Sequence, residues 1–302
     1  MAHLTPGETR RFNAEPIDAV DEHLDIDYVG DGIRAHRLDV LVPSTRHECD
    51  PRERMPVYVY FHGGGWTSGD KAPLTKYCAS QAEDGIVVVN VNYRMASRFH
   101  HMEHMLEDAN AALRWVTENI EQFGGDPTRI VLGGDSAGGQ IAALLAASLT
   151  HPELRDHYRL PAVDGHGVRG LVVHCGAVDF SVLFERGFIL SLDFVRMLLP
   201  HRANGHALRN AARFLSPIEW LDPTNPPVLV TTSERDYFYR ANLNFIRELR
   251  GHGVRVETVI FDRSAVNARH TWQQDSRHPE SQEVYVRLQE FVSSVTRVHP
   301  VA

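Results

Sequence analysis

The stretch that most constrains this chain runs Ile130-Val131-Leu132-Gly133-Gly134-Asp135-Ser136-Ala137-Gly138-Gly139-Gln140 and continues to Thr150. Ile130 to Leu132 is a short apolar run with β-branched residues. Gly133 and Gly134 permit a tight bend, and the Ala- and Leu-rich segment from Ala137 has helical composition. The order is therefore strand, sharp turn, helix. A serine at the corner of Gly134-x-Ser136-x-Gly138 takes strained backbone angles that lift its Oγ clear of the sheet, and the flanking glycines avoid a clash. The Ala137 N–H then lies at a helix N-terminus, where unpaired donors and the dipole favour an anion. One turn thus supplies a nucleophile and half of an anion site. Taken alone, the pentapeptide also reads as a plain glycine-rich turn. A phosphate loop is a weaker reading, because the lysine of a Walker loop is absent.

The rest of the chain gives that turn its setting. Val57 to Phe61, Ile86 to Val91, Leu171 to Val173, Pro227 to Val230 and Val254 to Phe261 are further strands, most of them continuous apolar runs of the buried kind. Helical stretches alternate with them: Thr75–Glu83, Met102–Phe123, Asn242–Arg250 and Pro279–Arg297. In the second of these, Leu106, Ala109, Leu113, Val116 and Ile120 fall three or four apart and form a core stripe. Asp25 to Val29 and Ile33 to Val42, joined by Gly30-Asp31-Gly32, read as an antiparallel hairpin. Strands alternating with helices predict an α/β fold, a mostly parallel sheet of about eight strands flanked by helices. Ligands collect at the carboxyl ends of such strands. The predicted organisation is a single domain over 1–302, with roughly the first 50 residues and the inserted segment 180–225 contributing a small lid or cap.

Composition narrows the partners. The chain has 31 Lys and Arg against 39 Asp and Glu, a net charge of −8, which argues against nucleic acid and anionic membranes. No run approaches the ~18 apolar residues of a membrane span, and Met1 to Pro16 lacks the apolar core of a secretion signal. Cys49, Cys78 and Cys175 form neither a zinc pattern nor an even disulfide set, so the reading is a cytoplasmic protein.

A serine hydroxyl needs a base to take its proton and a third group to orient that base. His270 lies between the last strand and the last helix and is the candidate base, with His252 and His278 as rivals. Asp236, just past its strand, is the candidate acid, with Glu234 as its rival. The chain order Ser136, Asp236, His270 is that of α/β-hydrolases, unlike the chymotrypsin or subtilisin orders. Gly63-Gly64-Gly65 follows a buried strand and offers backbone N–H groups which, with Ala137 N–H, make an oxyanion hole.

Together, His62-Gly63-Gly64-Gly65-Trp66, Asn92-Tyr93-Arg94 and Gly134-Asp135-Ser136-Ala137-Gly138-Gly139 resemble the hormone-sensitive-lipase-like branch of α/β-hydrolases, the bacterial carboxylesterases. The resemblance runs from about Val57 to the C-terminus. It implies Ser136, Asp236 and His270 as a catalytic triad and Gly64, Gly65 and Ala137 as oxyanion donors. It also implies that His62 anchors the glycine loop and Asp135 steadies the turn. The chain departs from the family at Asp236-Tyr237-Phe238-Tyr239-Arg240, where Asp-Pro-Leu-x-Asp is usual. It departs again at His270-Thr271-Trp272, usually His-Gly-Phe, and at Met95-Ala96-Ser97-Arg98, usually Leu-Ala-Pro-Glu. The implied activity is hydrolysis of a small-to-medium carboxylic ester through an acyl-enzyme. His62-Gly63-Gly64-Gly65-Trp66 through Gly69-Asp70-Lys71 also resembles kynurenine formamidases, which keeps an amide substrate open. A non-catalytic ligand-binding module on the same scaffold, as in the gibberellin receptors, is the third alternative; such receptors typically lose the catalytic histidine, and His270 is present here.

Trp66, Phe188 and Phe194 are candidates for the substrate pocket, although Phe188, Phe194, Met197 and Leu198 have the spacing of a packing face. His100 and His104 at the start of a helix have metal-capable side chains but lack the H-E-x-x-H pattern, so they read as a solvated helix start. No metal and no cofactor is expected. The expected partner is a small-molecule ester; the oligomeric state, a homodimer included, is left open.

Overall fold

The structure, a computed structural model, describes residues 6–44, 54–185, 192–200 and 206–297. Its strands are β1 Val20–Asp27, β2 Arg37–Pro43, β3 Met55–Phe61, β4 Val87–Val91, β5 Gly125–Asp135, β6 Val168–His174, β7 Val228–Ser233 and β8 Val256–Phe261. The helices are α1 Pro6–Phe12, α2 Thr75–Ala82, α3 Met102–Asn119, α4 Ala137–Thr150, α5 Pro152–His157, α6 Leu192–Met197, α7 His206–Leu215, α8 Tyr239–Gly251 and α9 Pro279–Val295.

The strands form one sheet in the order β1-β2-β4-β3-β5-β6-β7-β8. From β4 through β8 all neighbours pair in parallel, while β1, β2 and the β2–β4 seam are antiparallel. This is the mostly parallel, helix-flanked sheet that the alternating pattern implies. The apolar runs Val57–Phe61 and Val87–Val89 are wholly buried because helices cover both faces of the sheet. The α3 stripe Leu106, Ala109, Leu113, Val116 and Ile120 is likewise inaccessible. The helical pattern of Met102–Phe123 ends as a 3-10 turn, Ile120–Phe123, closed by Gly124 in the left-handed region. Among the described residues no helix is long and apolar enough to cross a membrane.

Two segments expected in the cap are placed as follows. Val20–Asp27 is the edge strand of the sheet and Arg37–Pro43 the strand inside it, since β2 presents a buried row that pairs with β4. α1 of the described N-terminal part stands off the sheet. It is followed by Asn13, whose Nδ2 donates to Ala72 O at 2.6 Å. The inserted segment carries 3-10 turns Phe180–Phe184 and Pro217–Trp220 around α6 and α7. His101 Nδ1–H donates to Met197 O at 3.0 Å, and Met102 N–H to Leu198 O at 3.0 Å, fastening α6 to the start of α3. Gln140, in the first turn of α4, donates through Nε2 to Leu215 O at 2.5 Å and fastens α7. Both anchors hold the insertion over the carboxyl edge of the sheet.

Beneath that edge runs a buried polar ladder. Tyr77 Oη lies 2.9 Å from His174 Nε2, and His174 Nδ1 lies 2.8 Å from Thr231 Oγ1, so a neutral imidazole satisfies both nitrogens. Burial holds the His174 pKa at about 3 against an ordinary 6.5. The folded state thus keeps His174 neutral while the unfolded chain takes up a proton below pH 6.5. The stability contribution is complete above pH 6.5 and drains away as the pH falls toward 3. His174 is expected to remove about 2 kcal/mol of stability between pH 7.5 and pH 5. Denaturant midpoints measured across that range should fall less steeply in His174→Gln than in the wild type; equal slopes would contradict this assignment.

Candidate active site

Ser136 sits between β5 and α4 with φ 52° and ψ −116°, outside the regions most side chains adopt. Its N–H donates to His174 O at 2.8 Å, and its carbonyl accepts from Ala177 N at 3.2 Å, so β6 clamps the corner. The turn is tight because the chain folds back on β3. A Cβ on Gly138 would be driven into Phe61 O, and one on Gly134 into the Gly138 backbone.

His270 Nε2 lies 2.9 Å from Ser136 Oγ, and His270 Nδ1 lies 2.7 Å from Asp236 Oδ1. The three residues named from the sequence therefore meet in one chain of hydrogen bonds. The Asp236 carboxylate also accepts from Thr232 Oγ1 at 2.9 Å and from Phe238 N at 3.0 Å. The loops carrying Asp236 and His270 are joined directly: Arg235 and Arg269 form a parallel β-bridge, and Ser233 Oγ donates to Ala268 O. The rivals face elsewhere. Glu234 approaches Arg263 at 3.6 Å, His278 approaches Asp275 at 3.5 Å, and His252 caps the end of α8.

The glycine loop follows β3. Gly64 has φ 132°, and a Cβ there would collide with Ser68 O, so only glycine fits. Ser68 closes the loop by donating to Gly64 O from both N (3.1 Å) and Oγ (2.8 Å). His62 is buried and stacks on Tyr93 with ring centroids 4.6 Å apart; its Nδ1–H donates to Gly63 O at 2.7 Å. Asp135 binds the parts together. Its buried carboxylate accepts from Tyr60 Oη (2.5 Å), Gly63 N (2.9 Å) and Gln274 Nε2 (2.9 Å). Burial pushes its pKa up, and the hydrogen bonds from Tyr60 and Gly63 oppose the rise.

Trp66 is buried, with φ 64°, and its Nε1–H donates to Gln140 Oε1 at 2.6 Å. Its ring lies 5.8 Å from Phe180 and 6.1 Å from Phe194. A methyl on the Gly65 Cα would stand 3.8 Å from Phe194 Cε1, so Phe194 overhangs the glycine loop. Phe188 lies outside the described residues. His100 and His104 have rings 5.2 Å apart, and His104 Nδ1 accepts from His101 N at 3.1 Å, a helix-start contact.

Several site residues escaped the sequence reading. Cys175, directly after β6, is buried with φ 49°, and its Sγ accepts from Thr271 N at 3.5 Å. Among the described residues, Cys175, Asp236 and His270 form a group with the donor types to hold a metal ion, their ligand atoms all within 4.8 Å. Two of those three already face each other in a hydrogen bond, and burial pushes the Cys175 thiol pKa well up, keeping it protonated. Tyr237 packs at a tilt against His270, with centroids 3.9 Å apart and planes 36° apart. Its one sequence signal was the departure at Asp236-Tyr237-Phe238.

A family model described as alpha/beta hydrolase fold matches residues 58–266. The chain belongs to this α/β-hydrolase family, that of the hormone-sensitive-lipase-like esterases. This α/β-hydrolase is similar to carboxylesterase NlhH of Mycobacterium tuberculosis, 46% identical over 98 residues, a match covering 32% of this chain and 30% of that protein. It is also similar to esterase LipQ of the same organism, 31% identical over 243 residues, covering 78% of this chain and 52% of the relative. The chain spans about half the length, or less, of these curated relatives. Among solved structures, esterase B of Lactobacillus rhamnosis superposes with a TM-score of 0.84 at 22% identity, covering 96% of this chain and 90% of that one. An esterase of Pyrobaculum calidifontis does so with a TM-score of 0.68 at 26% identity, covering 95% and 88%.

The close approach at the turn gives a direct test. Gly138→Ala is expected to destabilise this α/β-hydrolase by about 3 kcal/mol through overpacking against the β3 backbone. A thermal midpoint unchanged from wild type would show that the corner has slack.

Proposed function

We propose that this α/β-hydrolase is a serine esterase that cleaves a small-to-medium carboxylic ester through an acyl-enzyme. The observation that carries the reading is the unbroken hydrogen-bond chain Ser136–His270–Asp236, beside a glycine loop whose backbone N–H groups follow β3. In this reading His270 takes the Ser136 proton as Oγ attacks the ester carbonyl. The oxyanion is held by the amides of Gly64, Gly65 and Ala137, the last at the N-terminus of α4. Protonated His270, oriented by Asp236, gives its proton to the departing alcohol. Water, activated by the same imidazole, then releases the acid and restores Ser136. Phe194, which overhangs the glycine loop, is apolar surface for the acyl group, with the buried Trp66 packed behind it. The named relatives being carboxylesterases and esterases supports the ester over the amide.

The test is turnover of p-nitrophenyl acetate and butyrate, with a matching anilide beside them. Wild type is expected to hydrolyse the esters, and Ser136→Ala to lose on the order of 10⁴-fold or more in kcat, with Asp236→Asn falling on a similar scale. Turnover that survives Ser136→Ala would remove the nucleophile assignment. Anilide cleavage exceeding ester cleavage would move the reading to an amidase.

A further inference from the structure

The residue after the acid is not needed by the triad, yet it is placed against it. Tyr237 is 44% exposed, whereas its neighbours Asp236 and Phe238 are 5% and 2% exposed. Its ring lies 3.9 Å from the His270 ring at 36°, and the buried Phe238 ring meets it edge-on at 5.7 Å and 67°. The ring is thus braced from beneath and still open to solvent. Burial and the Asp236 charge hold its pKa at about 12, so the phenol is neutral at working pH.

Its position relative to the chemistry follows from the proton path. In the esterase reading, on which this inference rests, His270 Nε2 must come within about 3 Å of the leaving oxygen to protonate it. The alcohol half of the ester therefore lies beside the imidazole, and a ring packed at a tilt against that imidazole stands next to it. The acyl half is placed differently, because its carbonyl oxygen points at the glycine loop, where Phe194 overhangs Gly65. The two halves of a substrate meet two different aromatic surfaces.

We propose that Tyr237 is a specificity-determining residue that forms the wall of the alcohol side and selects esters of aromatic alcohols. The chemistry is ring-to-ring packing by an aromatic held in place before substrate arrives, which adds to simple area burial. A half-exposed ring has lost little to the core and keeps free area for such a contact. Aliphatic alcohols of the same bulk fill the space without the ring contact.

The experiment compares kcat/KM for benzyl acetate and cyclohexylmethyl acetate, two esters of matched bulk and similar leaving-group basicity. The wild type is expected to favour the benzyl ester about fivefold, the scale of one aromatic pair. Tyr237→Phe should keep that ratio, and Tyr237→Leu should bring it near one. The ratio for ethyl acetate against ethyl butyrate should be unchanged, since the acyl side is untouched. Tyr237→Met serves as a second non-aromatic variant should the leucine variant misfold. A wild-type ratio near one overturns the proposal, and so does a ratio that persists in the non-aromatic variants even if their overall rates fall. Labelling of Ser136 by a fluorophosphonate separates the layers. Labelling without discrimination overturns the alcohol wall alone, whereas a wild type that neither labels nor hydrolyses any ester overturns the esterase reading beneath it.

Discussion

The carboxylate of Asp135 is the constraint on which the arrangement depends. It is buried and accepts hydrogen bonds from Tyr60 Oη, Gly63 N and Gln274 Nε2. An anion in that setting is tolerable only when every donor stays in place, because an unpaired buried charge is costly. The three donors come from β3, from the glycine loop and from the turn after His270. Holding one carboxylate satisfied therefore fixes the distance between the glycine loop, the serine corner and the loop that carries His270. Its sequence neighbour is Ser136, so the serine hydroxyl inherits that fixed position.

Backbone strain gathers around the same edge. Ser136, Trp66, Cys175 and Thr271 are four of the seven non-glycine residues with positive φ among those described. Each follows or adjoins the carboxyl end of a strand, or flanks His270. Such conformations persist where surrounding contacts over-determine them. Here those contacts are identifiable: the clamp of Ser136 N on His174 O, the Trp66 indole on Gln140, and the Thr271 amide on Cys175 Sγ. The His174 ladder lies directly below. It replaces apolar packing with a fully satisfied polar network that specifies one geometry at the cost of acid resistance.

The fold was legible where its signals are local. Continuous apolar runs marked β3, β4 and the parallel strands that follow, and the strand–turn–helix around Ser136 is written in consecutive residues. Strand edges were less so. β5 reaches back to Gly125 because pairing with β3 at Met55 extends it through residues with no apolar pattern. The candidate triad was legible through order and topology. What separates Asp236 from Glu234 is a turn: Asp236 N donates to Ser233 O and turns its side chain inward, while Glu234 faces Arg263. Gln274, Cys175 and Tyr237 were not legible as site residues. Their roles arise from contacts between loops far apart in sequence, and no period or short motif encodes those. The reading of the first ~50 residues as cap gave way in part to the sheet, because the β2–β4 pairing is set by a partner beyond that segment.

The bridge between Arg235 and Arg269, reinforced by Ser233 on Ala268, makes the loops of Asp236 and His270 a single mechanical body. The serine corner belongs to another, built from β5, α4 and the β6 clamp. A fluctuation that loosens this α/β-hydrolase would therefore spare the imidazole–carboxylate contact and open the gap between imidazole and hydroxyl instead. Gln274 reaching Asp135 is a rivet across that seam, beside the Thr271 amide on Cys175 Sγ, and neither contact touches the hydroxyl or the imidazole.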